Sequence, residues 1–188
     1  VTGSGSTVTV AAGTYNEQLT IDKSLTLTGD VGDASAGPGA AAPLLDGGGL
    51  VGSAIVISPG TSGVTIEGLE ITNYRNRDLD TAFTTGGLGS AIEAFSGSTS
   101  NITIRDNFLH DLGWNGVLVG NEGQALHDNW SVDNNVITNM GFIGVELTNT
   151  QNSSVTGNVI TGGSDILGED SSGNEPADNS DDGILVQT

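Results

Sequence analysis

The side chains able to do chemistry in this chain are mostly acids. Asp181 and Asp182 stand side by side before Gly183-Ile184-Leu185-Val186, and two carboxylates at a turn beside an exposed strand could serve as acid and base. Turn chemistry accounts for the pair more simply, because Asp and Gly favour the turn leading into a strand, as Asn115-Gly116 do earlier. Glu93 and Glu146 occupy equivalent outward positions of similar segments, so on stacked strands their backbones would lie about 9–10 Å apart. That is near the upper end of the separation used by inverting glycosidases. Leu118 takes the position between them, however, and two glutamates on a solvated face are ordinary surface.

His110-Asp111 and His127-Asp128 each set a base beside a carboxylate. Neighbours on an extended segment point to opposite sides, so neither dipeptide makes a dyad by itself, and both histidines read as turn residues. The candidate catalytic set is Asp181, Asp182, Glu146 and His110. Within the acidic stretch 162–182, Asp165, Glu169, Asp170 and Asp178 could gather oxygens for Ca²⁺. The stretch lacks the EF-hand spacing and the nonapeptide of calcium-binding β-rolls, so a solvated acidic loop is the simpler reading and no cofactor is required. Arg105, flanked across repeats by Glu67 and Asp133, reads as a cross-strand charge pair. Asn101, Asn129 and Asn152 open Asn-x-Ser/Thr sequons that could accept glycans, though chance sequons are expected at this composition.

These residues need a scaffold, and the repeats supply one. Gly63–Tyr74 (GVTIEGLEITNY), Asn101–Leu112 (NITIRDNFLHDL), Asn129–Met140 (NWSVDNNVITNM) and Asn152–Gly163 (NSSVTGNVITGG) superpose. Ile66, Ile104, Val132 and Val155 share one column, and Ile71, Leu109, Ile137 and Ile160 another. Between them runs a column of Leu69, Asn107, Asn135 and Asn158. A second unit alternates with the first: GSAIVI from Gly52, GSAIEA from Gly89, NGVLV from Asn115, IGVEL from Ile143 and DGILV from Asp182. Such strands are too short to bury a face alone, so copies must stack in parallel, one turn on the next. Stacked Asn amides can then bond to one another and to backbone. The alternative is that each Asn singly favours a left-handed turn.

The pattern predicts an all-β, single-stranded parallel β-helix of about five turns, with two or three protruding loops, and no helix. Ile55, Ile57, Ile92, Val117, Val119, Val145, Leu147, Ile184 and Val186 point inward. Val56, Glu93, Leu118, Glu146 and Leu185 point outward. Val8, Val10, Leu19, Ile21, Leu25 and Leu27 make a first turn.

Composition narrows the function. Four Lys and Arg against 23 Asp and Glu give the 188 residues a formal charge of −19, which excludes nucleic acid as a partner because phosphate binding needs clustered cations. There is no cysteine, hence no disulfide or thiolate site. No run approaches the roughly 18 apolar residues of a membrane span. Few lysines among abundant Asp, Gly, Ser and Thr suggest an extracellular or saline setting.

The opening VTVAAGTYNEQLTIDKSLTLTG and the repeats N-x-x-I/V-x-x-N-x-I and G-I/V-x-L/V resemble right-handed parallel β-helix proteins of the pectin-lyase-like superfamily. The resemblance covers the chain outside its loops and implies a right-handed coil. In that superfamily the coil serves polysaccharide lyases, hydrolases, epimerases, esterases, adhesins and virus fibres. The Asp-Pro-His run of the mannuronan epimerases is absent, since the prolines follow Gly37, Ala42, Ser58 and Glu175. Of the polygalacturonase signatures only the pair Asp181-Asp182 is met, with Asn149-Thr150-Gln151 standing where Asn-Thr-Asp is expected. Arg75, Arg77 and Arg105 sit in no segment similar to a pectate lyase site.

Residues 1–188 read as one domain that opens inside a rung and stops at Gln187-Thr188 without an amphipathic cap. The expectation is therefore a segment of a longer chain, or a subunit that stacks end to end on sister subunits or adjoining domains. Together these readings predict a structural or adhesive module at a cell or virion surface or in a fibre, one that could contact polysaccharide. The alternative is a lyase or hydrolase acting on acidic polysaccharide.

Overall fold

The computed structural model describes residues 3–29, 42–76, 88–163 and 183–187. Asp165, Glu169, Asp170, Asp178, Asp181 and Asp182 lie outside the described residues, so the expected calcium ligands and the acidic pair have no structural account. Every paired strand is parallel to its neighbour, and no helix occurs among the described residues.

Three sheets run the length of the coil. The first contains β1 (Ser6–Val10), β4 (Leu25–Gly29), β7 (Ser62–Glu67), β10 (Ser100–Arg105) and β13 (His127–Asp133), with β16 (Thr150–Gln151) and β17 (Ser154–Thr156) both on β13. The second contains β2 (Thr14–Tyr15), β5 (Leu44–Asp46), β8 (Glu70–Thr72), β11 (Phe108–Leu112), β14 (Val136–Met140) and β18 (Val159–Gly163). The third contains β3 (Leu19–Ile21), β6 (Ile55–Ile57), β9 (Ile92–Ala94), β12 (Val117–Val119), β15 (Val145–Thr148) and β19 (Ile184–Gln187). Each turn visits the three sheets in order, which is a parallel β-helix.

Among the described residues the coil has six such turns, where the repeats predicted about five. Leu25 and Leu27, expected in the first turn, already open the second, because β4 pairs with β1 in register. The repeat columns are otherwise as predicted. Ile66, Ile104, Val132 and Val155 stack in the first sheet, and Ile71, Leu109, Ile137 and Ile160 in the second. They line one apolar core with the third-sheet columns through Ile55 and Ile57. Ile184 and Val186 hold the expected inward register but are 50% and 60% exposed, because no described strand lies beyond β19 to cover them.

The corner between the first and second sheets explains the asparagine column. Asn107 Nδ2 donates to Asn135 Oδ1 at 3.0 Å, and Asn135 Nδ2 to Asn158 Oδ1 at 2.9 Å. The same oxygens accept the backbone N–H of Asn107 and Asn135, while each Nδ2 also donates to a carbonyl of the preceding turn. A tight corner leaves backbone groups without strand partners, and the buried amides satisfy them. The left-handed residues are the neighbours one position earlier, Gly68, Asp106, Asn134 and Gly157. The ladder and the left-handed turn thus belong to adjacent columns.

Candidate functional site

The outer face of the third sheet carries the two glutamates. Val56, Glu93, Leu118, Glu146 and Leu185 follow one another in register, as predicted. Four-residue corners feed β12 and β15 from the second sheet, and they set Trp114 above Phe142 with rings stacked at 4.3 Å. Gly116 lets these corners pack so closely: a Cβ there would sit 2.6 Å from both the Gly144 carbonyl and the Ile137 side chain. Leu118, expected to face solvent, is only 1% exposed, because Leu88, Trp114, Phe95 and Phe142 close over it in a second apolar cluster.

Each glutamate is held by neutral polar side chains. Glu93 Oε2 lies 2.5 Å from Ser53 Oγ, and burial pushes its carboxyl above the ordinary value. Glu146 Oε2 accepts from Asn115 Nδ2 at 2.8 Å and Oε1 from Thr148 Oγ1 at 3.2 Å. Burial raises its carboxyl too, against those two bonds. Asn115 is itself fixed, its Oδ1 accepting the Ile143 N–H at 3.1 Å. Raised carboxyls are the kind that act as general acids. Leu118 stands between the two in register, buried in the outer apolar cluster.

His110 projects from the outer face of the second sheet. Its Nδ1 lies 2.6 Å from Asp111 Oδ2 and its Nε2 3.1 Å from Glu70 Oε1, with the ring stacked on Phe108 at 4.2 Å. The expectation that His110 and Asp111 diverge fails because Asp111 has φ 51°, a left-handed turn that swings its carboxylate back onto the ring. Burial alone would push the Asp111 carboxyl up. Hydrogen bonds from His110 and Asn139, with attraction to His110 and Arg75, outweigh that and hold it below the ordinary value. Both ring nitrogens face carboxylates, and Nδ1 also lies 3.3 Å from Thr72 Oγ1.

The other candidates are structural. His127 is not a turn histidine but a fully buried one that begins β13. Its Nδ1 meets Thr99 Oγ1 at 2.7 Å, and burial pushes its pKa down. Arg105 pairs with Glu67 at 2.7 Å through Nε, as predicted, while Asp133 instead accepts from Thr156 Oγ1 at 2.7 Å. Among the described residues no group of His, Asp and Glu is placed to hold a metal ion, and no helix is long and apolar enough to cross a membrane.

Sequence reasoning missed the outer face of the first sheet. Thr7, Thr26, Thr65, Thr103, Ser131 and Ser154 stand in one row across all six turns. No hydrogen bond within the described residues engages these hydroxyls. The signal was present, since the row is the residue just before the apolar column Ile66, Ile104, Val132 and Val155. Beside it Asn101, Asn129 and Asn152 stack in the left-handed conformation, with φ 55°, 56° and 52°. Asn129 Nδ2 donates to Asn101 Oδ1 at 2.8 Å. Each sequon thus pairs a left-handed asparagine with the outward hydroxyl two residues on.

No protein-family model matches the chain, and no match was found among curated proteins or among solved structures.

Proposed function

We propose that the chain is an extracellular structural and adhesive module of a surface protein or fibre, and that the first sheet presents its outer face to glycans. The observation that carries this reading is the unbroken row of six hydroxyls without protein partners among the described residues. Each hydroxyl is both donor and acceptor, which suits the hydroxyls of a sugar chain lying along the coil. The row carries no charge on a chain of −19, and the next row pairs Arg105 with Glu67, so the face suits a neutral strand. Membership of the pectin-lyase-like superfamily and a right-handed coil belong to the same proposal. They rest on the repeat consensus.

Binding to a panel of neutral and acidic polysaccharides tests it. Thr65→Val with Thr103→Val keeps the shape of the row and removes two hydroxyls. Binding to a neutral polysaccharide that weakens at least about tenfold in that variant is expected; no binding to any glycan overturns the reading. The second reading, a lyase or hydrolase on acidic polysaccharide, draws on the raised carboxyls of Glu93 and Glu146. Uronate release from pectin or alginate that disappears in Glu146→Gln or Asp182→Asn would favour it.

A further inference from the structure

The corner that leads into β9 contains a hydrogen count that does not close unless a proton is added. Ser53 Oγ lies 2.6 Å from the Leu88 carbonyl oxygen and 2.5 Å from Glu93 Oε2, and the Ser90 N–H points at it from 3.3 Å. A serine hydroxyl has one hydrogen to donate. The Ser90 N–H can only donate to Ser53 Oγ, and the one Ser53 hydrogen cannot serve the Leu88 carbonyl and an ionised Glu93 together. Both short contacts are satisfied at once only if the Ser53 hydrogen goes to Leu88 and Glu93 carries its own. The short contact to Glu93 then needs a hydrogen from Glu93.

We infer that Glu93 is a carboxylic acid in the folded protein, and that its proton closes a pH-sensitive clasp, Glu93 to Ser53 to Leu88, which seats Leu88 in the outer apolar cluster. The surroundings agree. In register Glu93 lies between Val56 and Leu118, and no charged side chain contributes to the environment that pushes its carboxyl up. Among the described residues Glu146 is the other acid in this row, two strands away beyond Leu118.

The clasp has mechanical consequences because the corner is tightly built. The Gly89 N–H donates to Asn76 Oδ1 at 2.7 Å, and a Cβ on Gly89 would sit 2.5 Å from the Arg75 backbone. The Ser90 carbonyl accepts the Ala54 N–H, tying the corner to the turn below. Leu88, 2% exposed, packs against Trp114 and Leu118. When Glu93 loses its proton, two acceptors compete for the one Ser53 hydrogen and the carboxylate takes it. The buried Leu88 carbonyl then has no donor among the described residues, a cost relieved if Leu88 leaves the cluster. Rising pH therefore loosens the aromatic cover of the third sheet, and acid closes it.

The sign follows from linkage. A carboxyl raised in the folded state contributes stability that is fully present below the ordinary glutamate value and is lost as pH rises through its folded value. Glu93→Gln mimics the acid, since its amide N–H can donate to Ser53 at every pH. Urea unfolding across pH should show wild type and Glu93→Gln equal in acid. Above the folded value Glu93→Gln should be the more stable, by about tenfold in the unfolding constant for each pH unit that separates the folded from the ordinary glutamate value. Carboxyl-¹³C NMR of glutamate-labelled protein should show two carboxyls titrating above the ordinary range, Glu93 and Glu146, with the Ser90 amide resonance following one of these two curves. That second measurement needs no variant. A Ser90 amide that follows an ordinary glutamate titration, or a Glu93→Gln that is less stable than wild type at high pH, overturns the inference.

Discussion

The outer faces of the first and third sheets are built from the same coil, yet one is open and the other closed. On the first, Thr65, Thr103 and Ser131 stand in line with no protein partner among the described residues. On the third, Glu93 and Glu146 are tied to Ser53, Asn115 and Thr148, and Leu118 is sealed beneath Trp114 and Phe142. The difference arises at the corners. Where the chain enters the first sheet the residues are small or short and polar, Gly63, Asn101, Asn129 and Asn152, whereas the corners feeding the third sheet carry large rings that fold back over it. In a solenoid the strands set the spacing, and the corners decide which face remains available to a partner.

The largest effect that could break this comparison is at Leu118. If the third-sheet face is a true second core, Leu118→Ala costs about 2–5 kcal/mol in urea unfolding. A cost below about 0.5 kcal/mol, the range of ordinary surface substitutions, would make the face a solvated one after all. Acidity offers a smaller, signed test. Glu146 is raised by burial, so its contribution is present below the ordinary glutamate value and lost as pH rises through the folded one. Asp111, on the second sheet, is lowered, so its contribution is present above the ordinary aspartate value and lost as pH falls through the folded one. Glu146→Gln should flatten the high-pH limb of the stability profile, and Asp111→Asn the acid limb; both variants altering the same limb would erase the distinction. The smallest effect belongs to the open face. Thr103→Val should change stability by no more than about 0.5 kcal/mol, because its hydroxyl bonds to nothing among the described residues. A larger loss would mean that the row holds the coil together instead of facing a partner.

Much of the coil was legible in the sequence. Asn107, Asn135 and Asn158 announced their ladder because identical residues at one register must stack, and Arg105 announced its pairing with Glu67 for the same reason. The candidate site was far less legible. Asp111 lies on the His110 ring only because its backbone turns left-handed, which alternation along a strand cannot reveal. Leu118 reads as outward and is outward; what buries it comes from Leu88 and Trp114, side chains of the corners. Ser53 and Glu93 are 40 residues apart, and nothing local marks them as partners.

By itself the sequence determined the parallel stacking, the apolar columns that line the core and the asparagine ladder, because all three depend on a repeat spacing that the chain carries along its length. Only the tertiary structure decided which of the outward faces is covered and which carboxyls leave water. Those outcomes depend on side chains that reach across corners from neighbouring turns, and the repeat does not record how far a Trp114 or a Leu88 reaches.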